Sequence, residues 1–61
     1  MTIAEFIRYL QKKGIRFKER GSKHDVYWNP LTGDEAQIPR HHSQEIKTGT
    51  MERILKDLGL K

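Results

Sequence analysis

Few side chains in this sequence are suited to catalysing a reaction, and the best placed of them gather in Gly21-Ser22-Lys23-His24. An imidazole can accept or donate a proton near neutrality, because histidine titrates at about pH 6.5. An ammonium one residue away offers positive charge to a developing anion. Gly21 is predicted to take a positive φ, and Ser22 to close the turn by bonding nearby backbone. Lys23 and His24 then emerge together at a strand start, where side chains stand away from the sheet. Histidines in small proteins also serve as half-buried spacers or plain surface residues, so spacing alone leaves a functional and an ordinary His24 both open.

The charge around this turn is uneven. Between Lys12 and Lys23 stand six cations (Lys12, Lys13, Arg16, Lys18, Arg20, Lys23) against the single acid Glu19, a net of +5 in a chain whose total is +4. Basicity therefore concentrates just ahead of His24, as expected of a surface that attracts phosphates of nucleic acid or anionic lipid. The plainer explanation is a solvated charged face.

Other chemistries have weaker support. The chain has no cysteine, which removes disulfides and thiolate metal sites and fits a reducing cytoplasm. His41 and His42 are adjacent, so in an extended connector they point in opposite directions, and no carboxylate lies at a recognised ligand spacing from them. No metal or other cofactor is expected. Asp25, Asp34 and Glu35 read as turn or strand-end residues, and there is no glycine-rich phosphate cradle. No apolar run approaches the roughly 18 residues needed to cross a bilayer, and the first residues lack the pattern of a signal peptide.

The elements that must hold the turn follow from periodicity. Thr2 and Glu5 form a capping-box pattern, and Ile3, Phe6, Ile7 and Leu10 make the stripe of an amphipathic helix that Gly14 ends. From Ile15 the period changes to two: Ile15 and Phe17 face inward, while Arg16, Lys18 and Arg20 form a basic outer face. Val26, Tyr27 and Trp28 mark a second strand, whose facing the alternation leaves unresolved. Asn29-Pro30-Leu31-Thr32-Gly33 is a turn, and a third strand runs from Glu35 to Ile38 and ends at Pro39. Gln44-Glu45-Ile46 is read as one helical turn. A last helix then begins with Thr50 as N-cap, carries Met51, Ile54, Leu55 and Leu58, and stops at Gly59.

The result is one α+β domain over residues 1–61, α-β-β-β-α, with two helices on one face of a three-stranded antiparallel sheet. A 60-residue domain buries only about 60% of its unfolded surface, so a protein partner that adds stability is a reasonable expectation. The open sheet face would present Arg16, Lys18 and Arg20. Tyr27 or Trp28 would be available to stack a base. A histidine, cations and a stacking ring suit RNA cleavage, because the 2′-hydroxyl supplies its own nucleophile and the protein needs only a base, charge and alignment.

At this level of detail the chain closely resembles the HicA toxins of bacterial toxin–antitoxin systems. The resemblance rests on the helix ending in Gly14, the Gly21-Ser22-Lys23-His24 turn, the Asn29-to-Gly33 loop and Ile38-Pro39-Arg40-His41. It continues through Glu45-Ile46-Lys47-Thr48-Gly49-Thr50 into Ile54-Leu55-Lys56-Asp57-Leu58-Gly59. It implies a fold like that of double-stranded-RNA-binding domains and ribosome-independent mRNA cleavage. It also implies a cytoplasmic setting and a HicB-type antitoxin that covers His24 and the basic strand, the free toxin being a monomer. The family's essential histidine falls on His24. RNA contacts are expected at Arg16, Lys18, Arg20, Gly21, Ser22, Lys23, Tyr27 and Arg40. His41 belongs to the family's Pro-Arg-His segment, and a connector position accounts for it equally well.

One histidine does not easily serve as both base and acid; water, Lys23 or Tyr27 would have to take the second role. Two rival readings stay in view. A non-catalytic reader of duplex RNA would carry a lysine cluster at the start of the last helix, where Thr50-Met51-Glu52-Arg53 has none. A pure interaction module would use the basic face only to dock an acidic partner.

Overall fold

The first helix, α1 (Ile3–Lys12), starts where the capping pattern predicts. The Glu5 N–H donates to the Thr2 hydroxyl at 3.2 Å and the Thr2 N–H donates to the Glu5 carboxylate at 2.8 Å, so two otherwise unpaired donors are satisfied reciprocally. The Thr2 N–H, and then the Thr2 hydroxyl, hold the Glu5 carboxyl below the usual carboxylate range. Two further N–H groups of this first turn, those of Ile3 and Ala4, donate to the carbonyls of Gln44 and His42 at 2.9 and 3.1 Å. Gly14 ends the helix at φ 91°, a conformation that favours glycine.

The computed structural model describes all residues from Met1 to Lys61. Three strands follow α1: β1 (Arg16–Arg20), β2 (His24–Trp28) and β3 (Glu35–Pro39), antiparallel in the order β1-β2-β3; α2 (Thr48–Asp57) completes the chain. Ile3, Phe6, Ile7 and Leu10 of α1 and Ile54 of α2 join Tyr27, Ala36 and Ile38 of the sheet in one buried cluster, with Ile15, Ile46 and Leu58. Both helices therefore cover the same sheet face. Each fully buried aliphatic or aromatic side chain contributes about 1.5–3 kcal/mol. No helix is long and apolar enough to cross a membrane.

The cluster settles the facing of β2. Tyr27 is buried and pairs across the sheet with buried Ala36, while Asp25 pairs with buried Ile38, so Asp25 and Tyr27 look toward the helices. His24, Val26 and Trp28, paired with Pro39, Gln37 and Glu35, look outward.

β1 departs from simple alternation. Phe17 pairs with Tyr27 but Glu19 pairs with Val26, so Lys18 is an extra residue in a β-bulge. A bulge resets the side-chain period, and every residue beyond it changes face. Arg16 and Lys18 lie outward, but Arg20 pairs with Asp25 on the helix side and does not extend the basic outer face as the alternation predicted. Phe17 faces inward as expected, meeting Tyr27 edge-on at 5.7 Å. It nevertheless stays 52% exposed, because β1 is an edge strand that the helices do not cover.

Two expectations for the C-terminal third are corrected. The Gln44-Glu45-Ile46 stretch is not helical; Glu45 bridges Thr2, and the Ile46 N–H donates to the Met1 carbonyl at 3.0 Å, lining the connector along the N-terminus. α2 begins three residues earlier than predicted, with Lys47 as N-cap and no side-chain cap bond, so Thr50 lies inside the first turn. That earlier start still brings no lysine cluster: Lys47 is followed by Thr48, Gly49 and Thr50.

Candidate active site

The β1–β2 turn has a two-residue tip, Ser22-Lys23, closed by the Gly21 N–H donating to the His24 carbonyl at 2.9 Å. Gly21 is required here for a different reason from the one predicted. Its φ is not positive; instead a Cβ would stand 2.3 Å from the His24 carbonyl oxygen, which no other residue can accept without moving that backbone. Ser22 makes no side-chain bond to the turn and is exposed, as are Lys23 and His24.

The carbonyl of Gly21 is held from beneath. Arg40, the residue after β3, donates its guanidinium to that carbonyl. It also forms an ion pair with Asp25, Nε to Oδ1, at 3.1 Å. The pair is an attraction between charges rather than an aligned hydrogen bond, and both atoms are buried with no other partner. Arg40 therefore ties three places together: the turn, β2 and the end of β3. Arg40, expected to contact RNA, is thus a half-buried clamp on the turn that also lines the groove beside it.

Because Arg40 turns inward, Pro39 and His41 on either side of it are left to the outer surface. An open groove of about 500 Å³ runs between turn and connector, lined by Ser22, Lys23, His24, Pro39, Arg40 and His41. A smaller depression of about 250 Å³ on the other flank shares Ser22, Lys23 and His24 and reaches Val26 and Gln37. His24 borders both. His41, for which the sequence offered a connector position as an equal explanation, shares this groove with His24; only the pairing of Pro39 with His24 brings it there.

The remaining predicted contacts scatter. Tyr27 is buried, on the face opposite His24, and burial followed by the nearby Asp25 charge pushes its phenol up. It cannot offer a ring face to a base or a proton to the His24 side. The half-buried Trp28 is the outward aromatic, with the Lys18 ammonium 5.9 Å from its ring centre. Lys18 is also paired with Glu35, whose carboxylate raises the ammonium pKa by hydrogen bonding and then by charge. Arg16 and Lys18 thus share the outer face with Glu19 and Glu35, and that end of the sheet is close to charge balance. No three His, Asp or Glu side chains converge as metal ligands.

Comparison with known proteins agrees with this architecture. The family described as HicA toxin of bacterial toxin-antitoxin matches residues 3–60. A probable mRNA interferase HicA 2 from Photorhabdus laumondii is 36% identical over 61 residues, covering 100% of both chains. A probable mRNA interferase HicA from Pseudomonas fluorescens is 36% identical over 62 residues, covering 100% of this chain and 98% of the relative. A chain of the E. coli HicAB toxin–antitoxin complex superposes with a TM-score of 0.81 at 36% identity, over 95% of this chain and 96% of that one. A family match that spans all but a few terminal residues, with full-length relatives of the same kind, makes this chain a member of the HicA toxin family of bacterial toxin–antitoxin systems.

Proposed function

We propose that the protein is the toxin of a toxin–antitoxin pair and an endoribonuclease that cleaves mRNA, with His24 as the general base. The observation that carries this reading is the position of His24. It is exposed, borders two grooves and stands beside an exposed ammonium, on a turn whose geometry is over-determined by Gly21 and Arg40. Such over-determination is characteristic of groups held for chemistry, since small displacements of a base cost large factors in rate.

His24 removes the proton of a 2′-hydroxyl, and the alkoxide attacks the adjacent phosphorus. A 2′,3′-cyclic phosphate and a 5′-hydroxyl result. Lys23 stands where it can neutralise the charge that builds on the non-bridging oxygens. The tip residues Gly21 and Ser22 offer the backbone a close approach, and Arg16, Arg20 and Lys18 supply more distant attraction for the RNA strand, Lys18 less so because Glu35 already holds it. Names carried by the relatives support both the substrate class and the partner: the two curated relatives are probable mRNA interferases, and the structural match comes from a HicAB complex. An antitoxin of the HicB type neutralises this chain by covering the groove that holds His24.

The test is incubation of the purified, partner-free protein with a defined RNA in EDTA, comparing wild type with His24→Ala and analysing product ends. Cleavage by the wild type alone, leaving cyclic phosphate, is the expected result. Equal cleavage by both proteins would remove His24 from the chemistry. Tight binding of duplex RNA without cleavage would move the function to recognition.

A further inference from the structure

A base alone leaves the cleavage half provided for, because the departing 5′-oxygen must also take a proton, and an unassisted alkoxide is a poor leaving group near neutrality. The rivals for this second role are unequal. Tyr27 is buried on the opposite face of the sheet. Lys23 is accessible, but its ammonium is a compact point charge that suits the non-bridging oxygens.

His41 is on the right surface. His24 pairs with Pro39 across the β2–β3 ladder, and His41 is two residues further along the chain. β3 ends at Pro39 and the chain bends at Arg40, so His41 lies just past the ladder, on the connector that borders the groove. Both imidazoles line the same groove. The connector that carries His41 is fastened on each side. Arg40 is anchored to Gly21 and Asp25, the His42 carbonyl accepts the Ala4 N–H at 3.1 Å, and the His41 carbonyl accepts the Gln44 N–H at 3.0 Å. An exposed histidine on so tethered a backbone is pre-positioned relative to His24.

We infer that His41 is a second catalytic residue, the general acid that protonates the leaving 5′-oxygen while His24 takes the 2′-hydroxyl proton across the same phosphodiester. The inference rests on the proposed nuclease reading. The step balances: the O2′–P bond forms, the P–O5′ bond breaks, one proton passes to His24 and one leaves His41. Solvent then restores both imidazoles. The sequence alone would not have paired them, since 16 other residues separate the two histidines in the chain.

The experiment uses an RNA with one mapped cleavage site, made in two forms, all-oxygen and with sulfur replacing the bridging 5′-oxygen at that site. A thiolate leaves without a proton donor, so the second form does not need the acid. His41→Ala should slow the all-oxygen RNA about 100-fold or more and cleave the sulfur form within a few-fold of wild type. His24→Ala should remain impaired on both. Equal impairment of His41→Ala on both substrates would make His41 a structural or binding residue and overturn the inference, as would undiminished cleavage of the all-oxygen form. Wild type and His24→Ala behaving alike on both substrates would instead overturn the assignment of the base, and the inference with it. His41 is exposed and its recorded bonds are main-chain ones, so the alanine variant should unfold at the wild-type temperature.

Discussion

The two turns at the ends of β2 differ in where their polar groups go. The Asn29-to-Gly33 loop is satisfied from within and stitched to the rest of the molecule. Buried Asn29 accepts the Leu31 N–H and donates to the Leu58 carbonyl, each at 3.0 Å, so it caps the end of α2. Gly33, at φ 81°, donates its N–H back to the Asn29 carbonyl at 2.7 Å. The Gly21-to-His24 turn leaves its side chains in solvent, and its support comes from Arg40 beneath it. One turn commits its polar groups to the fold, and the other leaves them exposed. On the proposed function, stability and chemistry fall at opposite ends of one strand.

Substitutions should separate the two roles, and the largest effect is expected at the chemical end. Gly21→Ala forces the His24 carbonyl away from a Cβ that would otherwise sit 2.3 Å from it. Displacing a catalytic group by about 1 Å can cost on the order of 100-fold, so RNA cleavage should fall by about that factor while the protein stays folded by circular dichroism. Wild-type turnover in this variant would show that the turn tolerates movement.

Arg40→Ala removes both the Gly21 tether and the partner of Asp25. Breaking a fully buried pair costs about 3–5 kcal/mol. The Arg40 side chain retains 26% exposure and that of Asp25 14%, so about 2 kcal/mol is expected here. Thermal unfolding should show the loss, and cleavage per folded molecule should drop as well. Asn29→Ala is the contrasting case: leaving the Leu58 carbonyl unpaired should cost about 1–2 kcal/mol, or about 4–16 °C in Tm for a domain of this size. Cleavage per folded molecule should not change. If Asn29→Ala lowered turnover as much as Arg40→Ala did, the division between the two ends would fail.

The smallest effect belongs to Tyr27→Phe, which tests the facing of β2. Burial raises the phenol pKa above its ordinary value of 10.0. Above about pH 10 the unfolded chain therefore ionises first and binds fewer protons than the folded one, so this contribution is intact below that pH and is lost as pH rises through the folded value. Denaturant titrations between pH 8 and 11 should show wild type losing stability more steeply than Tyr27→Phe above pH 10, with cleavage at neutral pH the same in both. Parallel curves would mean that the phenol is in solvent after all.

Much of this protein was legible in its sequence because the signals were local. The capping box of Thr2 and Glu5, the two apolar stripes, the stops at Gly14 and Gly59, and the turn that delivers His24 are each set within a few residues by backbone geometry and periodicity. The start of α2 was misplaced because a good capping residue, Thr50, competes poorly with a chain that is already drawn into line along the N-terminus at Glu45 and Ile46.

What the tertiary structure alone decided is which side chains share a surface. A single extra residue at Lys18 sends Arg20 to the helix side, because the strand period of two has no way to announce a bulge. Tyr27 rather than Val26 fills the core because the helices present their stripes to that face, and composition favoured neither. Arg40 became a clamp, and His41 came to line the same groove as His24, only when β3 was laid beside β2. Local sequence determined the elements and the histidine at the tip. Long-range pairing determined what stands around it, since residues brought together by a sheet carry no mark of that meeting in their spacing along the chain.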